Sequence, residues 1–214
     1  MEKLLQWAII NSATEKEDAP PRDSTQTVAP KQLDPAIIDH ILGKDDSVLM
    51  KEAMAAALDP CADPETKEVA LTDLELLVSQ IDNANNLVPL RLWDPLLGLL
   101  DSPEPALRRD AVWVCGTSVQ NNPKAQQAFL DRKGLDKALA LVASDPDEAV
   151  RDKAMYCVSA AVRQFPPGLK YFFEQRGLPV IKTALTTSEN PRLLRRIYFL
   201  LATLVQVEDY QPVI

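Results

Sequence analysis

Apolar residues along this chain return at spacings of three and four, the period of a helix buried on one face, and seldom alternate as a half-buried strand requires. In the stretch 105–121, Val112, Cys115 and Val119 form one stripe, and Trp113, Thr117, Gln120 and Asn121 form a second, partly polar one. The first predicts a face pressed into a core and the second a face turned toward solvent or a partner.

The same pattern recurs. Arg108-Arg109-Asp110-Ala111-Val112-Trp113 is echoed 43 residues later by Arg151-Asp152-Lys153-Ala154-Met155-Tyr156. At that offset Val119 meets Val162, Pro123 meets Pro166, Phe129 meets Phe172, and Gly134-Leu135 meets Gly177-Leu178. A further step of 43 reaches Ile197-Tyr198-Phe199 and Val205, and a step of 41 backward reaches Ala70 and Val78. Each unit reads as a long amphipathic helix, a proline-marked break, a short helix near 126–130, a Gly-Leu turn and an apolar helix such as 135–142. Three helices in about 42 residues is the armadillo or HEAT period. The expected fold is therefore all-α: an armadillo/HEAT-like right-handed solenoid of about 3.5 three-helix repeats with N-terminal packing helices.

The repeat domain is expected over 64–214. Before it, 33–63 is expected to hold two packing helices, over 34–42 and 47–58, the first ended by Gly43 and the second before Pro60. Residues 11–31, rich in Ser, Thr, Pro and charge, have too little apolar surface to offset their ordering entropy, so 1–32 is expected to be a flexible tail with a short amphipathic segment at 4–10.

Composition narrows the function. With 31 acidic and 23 basic side chains the chain carries a net charge of −8, which argues against an electrostatic hold on nucleic-acid phosphates and disfavours anionic membranes. Twelve acidic and six basic residues fall in 1–63, leaving 19 and 17 for 64–214. No run of about 18 uncharged apolar residues is available to span a membrane, and the N-terminus lacks a signal-peptide pattern, so a cytoplasmic location is expected.

Catalytic and metal chemistry finds no constellation either. Cys61, Cys115 and Cys157 have no metal-ligand spacing, and the one histidine, His40, has no nucleophile beside it in sequence. Asp145, Asp147 and Glu148 sit at an inter-repeat turn without calcium-loop spacing, where helix N-termini account for acids. No glycine-rich phosphate loop is present. The chain is expected to be a monomer, to be no enzyme and to need no cofactor.

On the second stripe, Trp113, Thr117, Gln120 and Asn121 have counterparts in Tyr156, Ala160, Arg163 and Gln164, then in Phe199, Thr203 and Gln206. Such a polar and aromatic wall fits a macromolecular partner. Arg196 and Arg163 are expected near it, whereas Arg108 and Arg151 are expected to bridge neighbouring repeats.

The run Ala111-Val112-Trp113-Val114-Cys115-Gly116-Thr117-Ser118-Val119-Gln120-Asn121-Asn122-Pro123 resembles the armadillo-type nucleotide exchange factors of heat-shock-70 chaperones, the fungal cytosolic branch related to the animal heat-shock-70-binding proteins. Met1-Glu2-Lys3-Leu4-Leu5-Gln6-Trp7, Leu49-Met50-Lys51-Glu52-Ala53-Met54, Asp82-Asn83-Ala84-Asn85-Asn86-Leu87 and Leu92-Trp93-Asp94-Pro95-Leu96 carry the same likeness. The resemblance implies a helical domain that embraces one lobe of the chaperone's nucleotide-binding domain and promotes ADP release, with the N-terminal tail aiding client release. It also implies partner contacts at Ala84, Asn85 and Asn86, with Ala84 kept small so that the partner can approach. The alternative is a passive armadillo adaptor for an extended peptide, against which stands the broken Trp/Asn ladder on successive long helices.

Overall fold

In the computed structural model, which describes residues 43–205, every regular element is helical. The tail over 1–32, the helix expected over 34–42, His40 and residues 206–214 lie outside the described residues. Helix α1 spans Asp46–Leu58, α2 Pro64–Val78, α3 Ile81–Asn86 and α4 Trp93–Gly98, followed by a 3-10 turn at Leu99–Asp101. The repeats continue with α5 Pro105–Val119, α6 Pro123–Asp131, α7 Gly134–Ser144, α8 Glu148–Val162, α9 Pro166–Glu174, α10 Gly177–Thr187 and α11 Pro191–Val205.

Helix starts follow local chemistry. Pro64, Pro105, Pro123, Pro166 and Pro191 each occupy a first helical position, where the missing N–H costs nothing and φ is already helical. Asp63 accepts from the Thr66 N–H at 2.9 Å, and Asp147 from the N–H groups of Ala149 and Val150 at 2.8 and 3.0 Å. Asn122 caps α6 by accepting from the Ala125 N–H, so this helix begins at Pro123, earlier than the apolar pattern over 126–130 suggested.

The long helices α2, α5, α8 and α11 lie side by side in chain order, α7 and α10 form a second row, and α6 and α9 a third. The two short-helix turns are built alike. Lys133 and Arg176, both at φ 57°, turn the chain in a left-handed conformation just before Gly134 and Gly177. A Cβ on either glycine would overlap the ring of Phe129 or Phe172, which is why the Phe and the Gly recur together. Both rings are fully buried, and Phe129 packs 5.7 Å from Trp93. The predicted core stripe is confirmed: Val112, Cys115 and Val119 are inaccessible. Burial pushes the Cys115 and Cys157 thiols up, so both serve as small hydrophobes.

Adjacent repeats are latched by Arg108. Its Nε and Nη2 donate to the two Asp145 carboxylate oxygens at 2.7 and 2.9 Å, and its Nη1 donates to the Ser102 and Pro103 carbonyls at 2.8 and 3.1 Å. One guanidinium thus ties the turn before α5 to the turn before α8. Burial would raise the Asp145 carboxyl, but Arg108 and the Asp147 N–H outweigh it and hold the group below the usual carboxylate range.

The next repeat departs from this design. Ser188 stands where Asp145 stood, its Oγ accepting from the Asn190 N–H at 3.1 Å as Asp145 accepts from Asp147. Arg151, expected to bridge repeats like Arg108, turns instead to Glu148 of its own helix at 3.2 Å, and its buried Nε has no partner among the described residues. A serine hydroxyl is too short and uncharged to complete the fork.

Arg108→Ala is expected to cost about 3–5 kcal/mol in urea denaturation, because it leaves Asp145 buried and unpaired. Ser188→Asp, by supplying the missing carboxylate, is expected to add about 1.5 kcal/mol. The sign with pH follows from the depressed Asp145: its contribution is present above the unfolded carboxyl value of about 3.9 and is lost as pH falls through the lower folded value. Arg108→Ala is expected to flatten that acid limb.

Candidate partner interface on the long-helix wall

Side-by-side packing of α2, α5, α8 and α11 brings the second stripe of each long helix onto one wall. Gly116 decides how closely α5 and α8 approach there: a Cβ on it would stand 2.7 Å from the Tyr156 ring and 3.1 Å from the Cys157 Cα. A mid-helix glycine costs about 1 kcal/mol in propensity relative to alanine, and here it makes room for the Tyr156 ring against the neighbouring helix.

Contacts then cross the wall from repeat to repeat. Thr117 Oγ1 donates to Glu75 Oε1 at 2.7 Å, and the Tyr156 hydroxyl donates to Gln120 Oε1 at 3.0 Å while lying 3.4 Å from Thr117 Oγ1. Lys153 Nζ sits 3.2 Å from the Trp113 ring centroid. Arg196 donates through Nε to Asp152 Oδ1 at 2.7 Å and lies 5.2 Å from the Tyr156 ring. Arg163 stands 5.2 Å from the Phe199 ring. Burial lowers the Lys153 pKa, with nearby Arg196 adding to the effect against the attraction of Asp152, Glu75 and Asp110. Burial likewise raises the Tyr156 phenol, which keeps its proton and so its donor role.

A groove and a cleft open on this wall. A groove of about 740 Å³ between α2 and α5 is lined by Asp63, Glu65, Glu68, Asp73, Arg109 and Trp113, among others. A cleft of about 320 Å³ between α8 and α11 brings together Gln120, Asn121, Tyr156, Arg163, Arg196 and Phe199. Five of the predicted site residues therefore meet in the cleft, Trp113 lines the groove, and Thr117 braces the space between them.

The α3 residues behave differently. Ala84 is 2% exposed and belongs to the core. The expectation that it is a small exposed contact is corrected by the structure: its size is set by packing inside the fold. Asn85 and Asn86 are half-buried and line neither depression. The asparagine doing structural work is Asn83, whose Nδ2 donates to Asp46 Oδ2 at 2.7 Å and to the Leu77 carbonyl at 3.0 Å. Ala160 is also buried, at 7% exposure, and forms cleft floor rather than outward wall.

Sequence reasoning passed over Ser159 and Lys153, and of the pair Arg195-Arg196 that opens the last long helix it kept only Arg196 for the wall. Arg195 and Ser159 carry a signal in retrospect, standing one turn before Phe199 and three residues after Tyr156. Lys153 over Trp113 depends on the lateral register of two helices, which no single-helix spacing reveals.

Comparison with known proteins supports the architecture and supplies a family. Residues 1–87 match the family described as "Nucleotide exchange factor Fes1", and residues 83–211 match the "SIL1/FES1/HPBP1 C-terminal domain". The chain is 35% identical over 215 residues to the "Hsp70 nucleotide exchange factor fes1" of Schizosaccharomyces pombe, spanning 100% of this chain and 73% of that one. It is 37% identical to the FES1 exchange factor of Saccharomyces cerevisiae over 222 residues, 100% of this chain and 74% of that one, and 41% identical to that of Coccidioides immitis over 171 residues, 79% and 80%. Among solved structures, a designed armadillo repeat protein in complex with the peptide (KR)4 superposes with a TM-score of 0.64 at 17% identity, covering 72% of this chain and 63% of that one. A second designed armadillo repeat protein gives 0.63 at 18% identity, covering 79% and 68%. These structural likenesses establish the armadillo-like all-helical fold.

Because Ala84 is enclosed, Ala84→Arg is expected to destabilise the domain by more than about 3 kcal/mol through overpacking and a buried charge, with a lowered melting temperature read by circular dichroism.

Proposed function

The chain belongs to the Fes1 nucleotide exchange factor family, and from that premise we propose that its long-helix wall binds the nucleotide-binding domain of a cytosolic heat-shock-70 chaperone and promotes release of ADP. The observation that carries this reading is the line Trp113, Tyr156, Phe199 across three successive long helices, each ring accompanied by a cation. Aromatic and arginine side chains held in one geometry form a partner surface with little left to order on binding.

The chemistry remains the chaperone's own. The wall acts by binding the open arrangement of the nucleotide cleft more tightly than the closed, ADP-bound one. Linkage then requires that ADP loosen the wall by the same factor by which the wall loosens ADP. A factor of tens to a hundred, about 2–3 kcal/mol, lies in the ordinary range for such coupling. Bracing suits this role, since a wall that flexed with its partner would spend its differential affinity on its own deformation. Among the described residues no group of three or more metal-ligating side chains occurs, and no helix is long and apolar enough to cross a membrane.

In the proposed scheme residues 1–32 aid client release, the apolar run Leu4-Leu5-Gln6-Trp7-Ala8-Ile9-Ile10 offering the kind of segment a chaperone's peptide groove accepts.

The test is release of a fluorescent ADP analogue from a purified heat-shock-70 nucleotide-binding domain in stopped flow, with excess unlabelled ATP. Acceleration that saturates with concentration is expected, with Trp113→Ala and Tyr156→Ala each raising the half-saturating concentration at least about tenfold. Deleting 1–32 is expected to leave this rate intact and to slow release of a labelled client peptide from the full chaperone. An unchanged ADP release rate with wild-type protein would move the assignment to a passive peptide adaptor.

A further inference from the structure

In a chain of net charge −8 the α8/α11 cleft is locally basic. Arg163, Arg195 and Arg196 all line it. Arg196 is committed to Asp152, but neither Arg163 nor Arg195 has a carboxylate within ion-pair distance among the described residues, unlike Arg108, Arg109, Arg132 and Arg151. The Arg163 position is nevertheless held. Its guanidinium stacks toward Phe199, and its backbone carbonyl accepts from Gln126 Nε2 at 3.1 Å, the same amide that bonds the Ala160 carbonyl at 2.9 Å. On the floor the buried Ser159 hydroxyl has no partner among the described residues, and Ala160 is small enough to leave room. Phe199, 51% exposed, supplies an apolar flank.

Guanidinia without carboxylates, an unpartnered hydroxyl and an aromatic flank describe a site for a carboxylate beside an apolar side chain. The other depression has the opposite sign. Asp63, Glu65, Glu68 and Asp73 line the α2/α5 groove against the single cation Arg109, which is itself engaged with Glu68 and Asp110. Glu65 and Asp73 have no ion-pair partner among the described residues.

We propose that the α8/α11 cleft seats a carboxylate-bearing segment of the chaperone's nucleotide-binding domain while the α2/α5 groove faces basic residues of the same domain, so that charge sets the direction in which the partner lies along the wall. This inference rests on the exchange-factor reading above and adds to it the chemistry and polarity of the docked surface. Complementary potentials of this kind steer encounter and suppress the reversed orientation, and they weaken as salt screens them.

The experiment measures binding of a fluorescently labelled heat-shock-70 nucleotide-binding domain by anisotropy, together with ADP release, at low and high salt, about 50 and 300 mM. Arg195 is exposed and its side chain makes no hydrogen bond or ion pair among the described residues, so Arg195→Glu is expected to leave the domain folded. It is expected to weaken binding about tenfold at low salt, and the deficit is expected to shrink at high salt. Arg163→Gln is expected to weaken binding with less salt dependence than the charge reversal, and Asp73→Lys, at the other end of the wall, to weaken it with the same salt dependence. Lys182→Glu on α10, carrying the same change of net charge as Arg195→Glu outside both depressions, is expected to stay within about twofold of wild type. If Arg195→Glu and Asp73→Lys bind as Lys182→Glu does while the wild type still accelerates ADP release, the polarity is overturned and the exchange function stands. If the wild type itself neither binds nor accelerates release, both readings fall together.

Discussion

The seam between α5 and α8 is the contact on which the rest of this molecule depends. Val112, Cys115 and Val119 from one helix and Met155, Cys157 and Val158 from the other are withdrawn from water, and the buried Ser118 hydroxyl beside them donates to the Val114 carbonyl at 2.7 Å. Gly116 allows the approach, since the Tyr156 ring occupies the space a side chain there would need. Once that seam closes, the lateral register of the two long helices is set, and the pairs across it follow, Lys153 with Trp113 and Tyr156 with Gln120, while Thr117 reaches back to Glu75 across the α2/α5 seam.

Stability and presentation are divided between the two sides of those helices. Apolar burial and the enclosed Arg108–Asp145 fork hold neighbouring repeats together, and removing one partner of such a fork is costly because the other stays buried. The wall contacts are half-exposed, and pairs of that kind contribute little net stability. Their consequence is geometric. Aromatic rings and guanidinia held in one geometry by their neighbours have less freedom left to lose.

The last repeat is built to a looser standard. Ser188 leaves Arg151 without the carboxylate that Arg108 has, and α11 exposes Tyr198, Phe199 and Val205. Fewer enclosed polar links and more exposed apolar surface put this end of the domain at the low end of local stability. It is also the end that carries Arg195, Arg196 and Phe199.

Much of this was legible along the chain. Periodicity identified the buried stripe, the offset of 43 identified the repeat, prolines marked helix starts, and Trp113, Tyr156, Arg163 and Arg196 emerged as wall residues because helical spacing alone separates one face from another. Those are local facts, encoded within a turn or two of backbone. What the chain could not disclose were facts about neighbours: that Ala84 is enclosed, that Ala160 is floor, that Lys153 covers Trp113, and that Arg151 lacks the partner Arg108 enjoys. Burial and ion pairing depend on what a second helix places opposite a residue, and that is decided only when side chains some 40 positions apart close over one another.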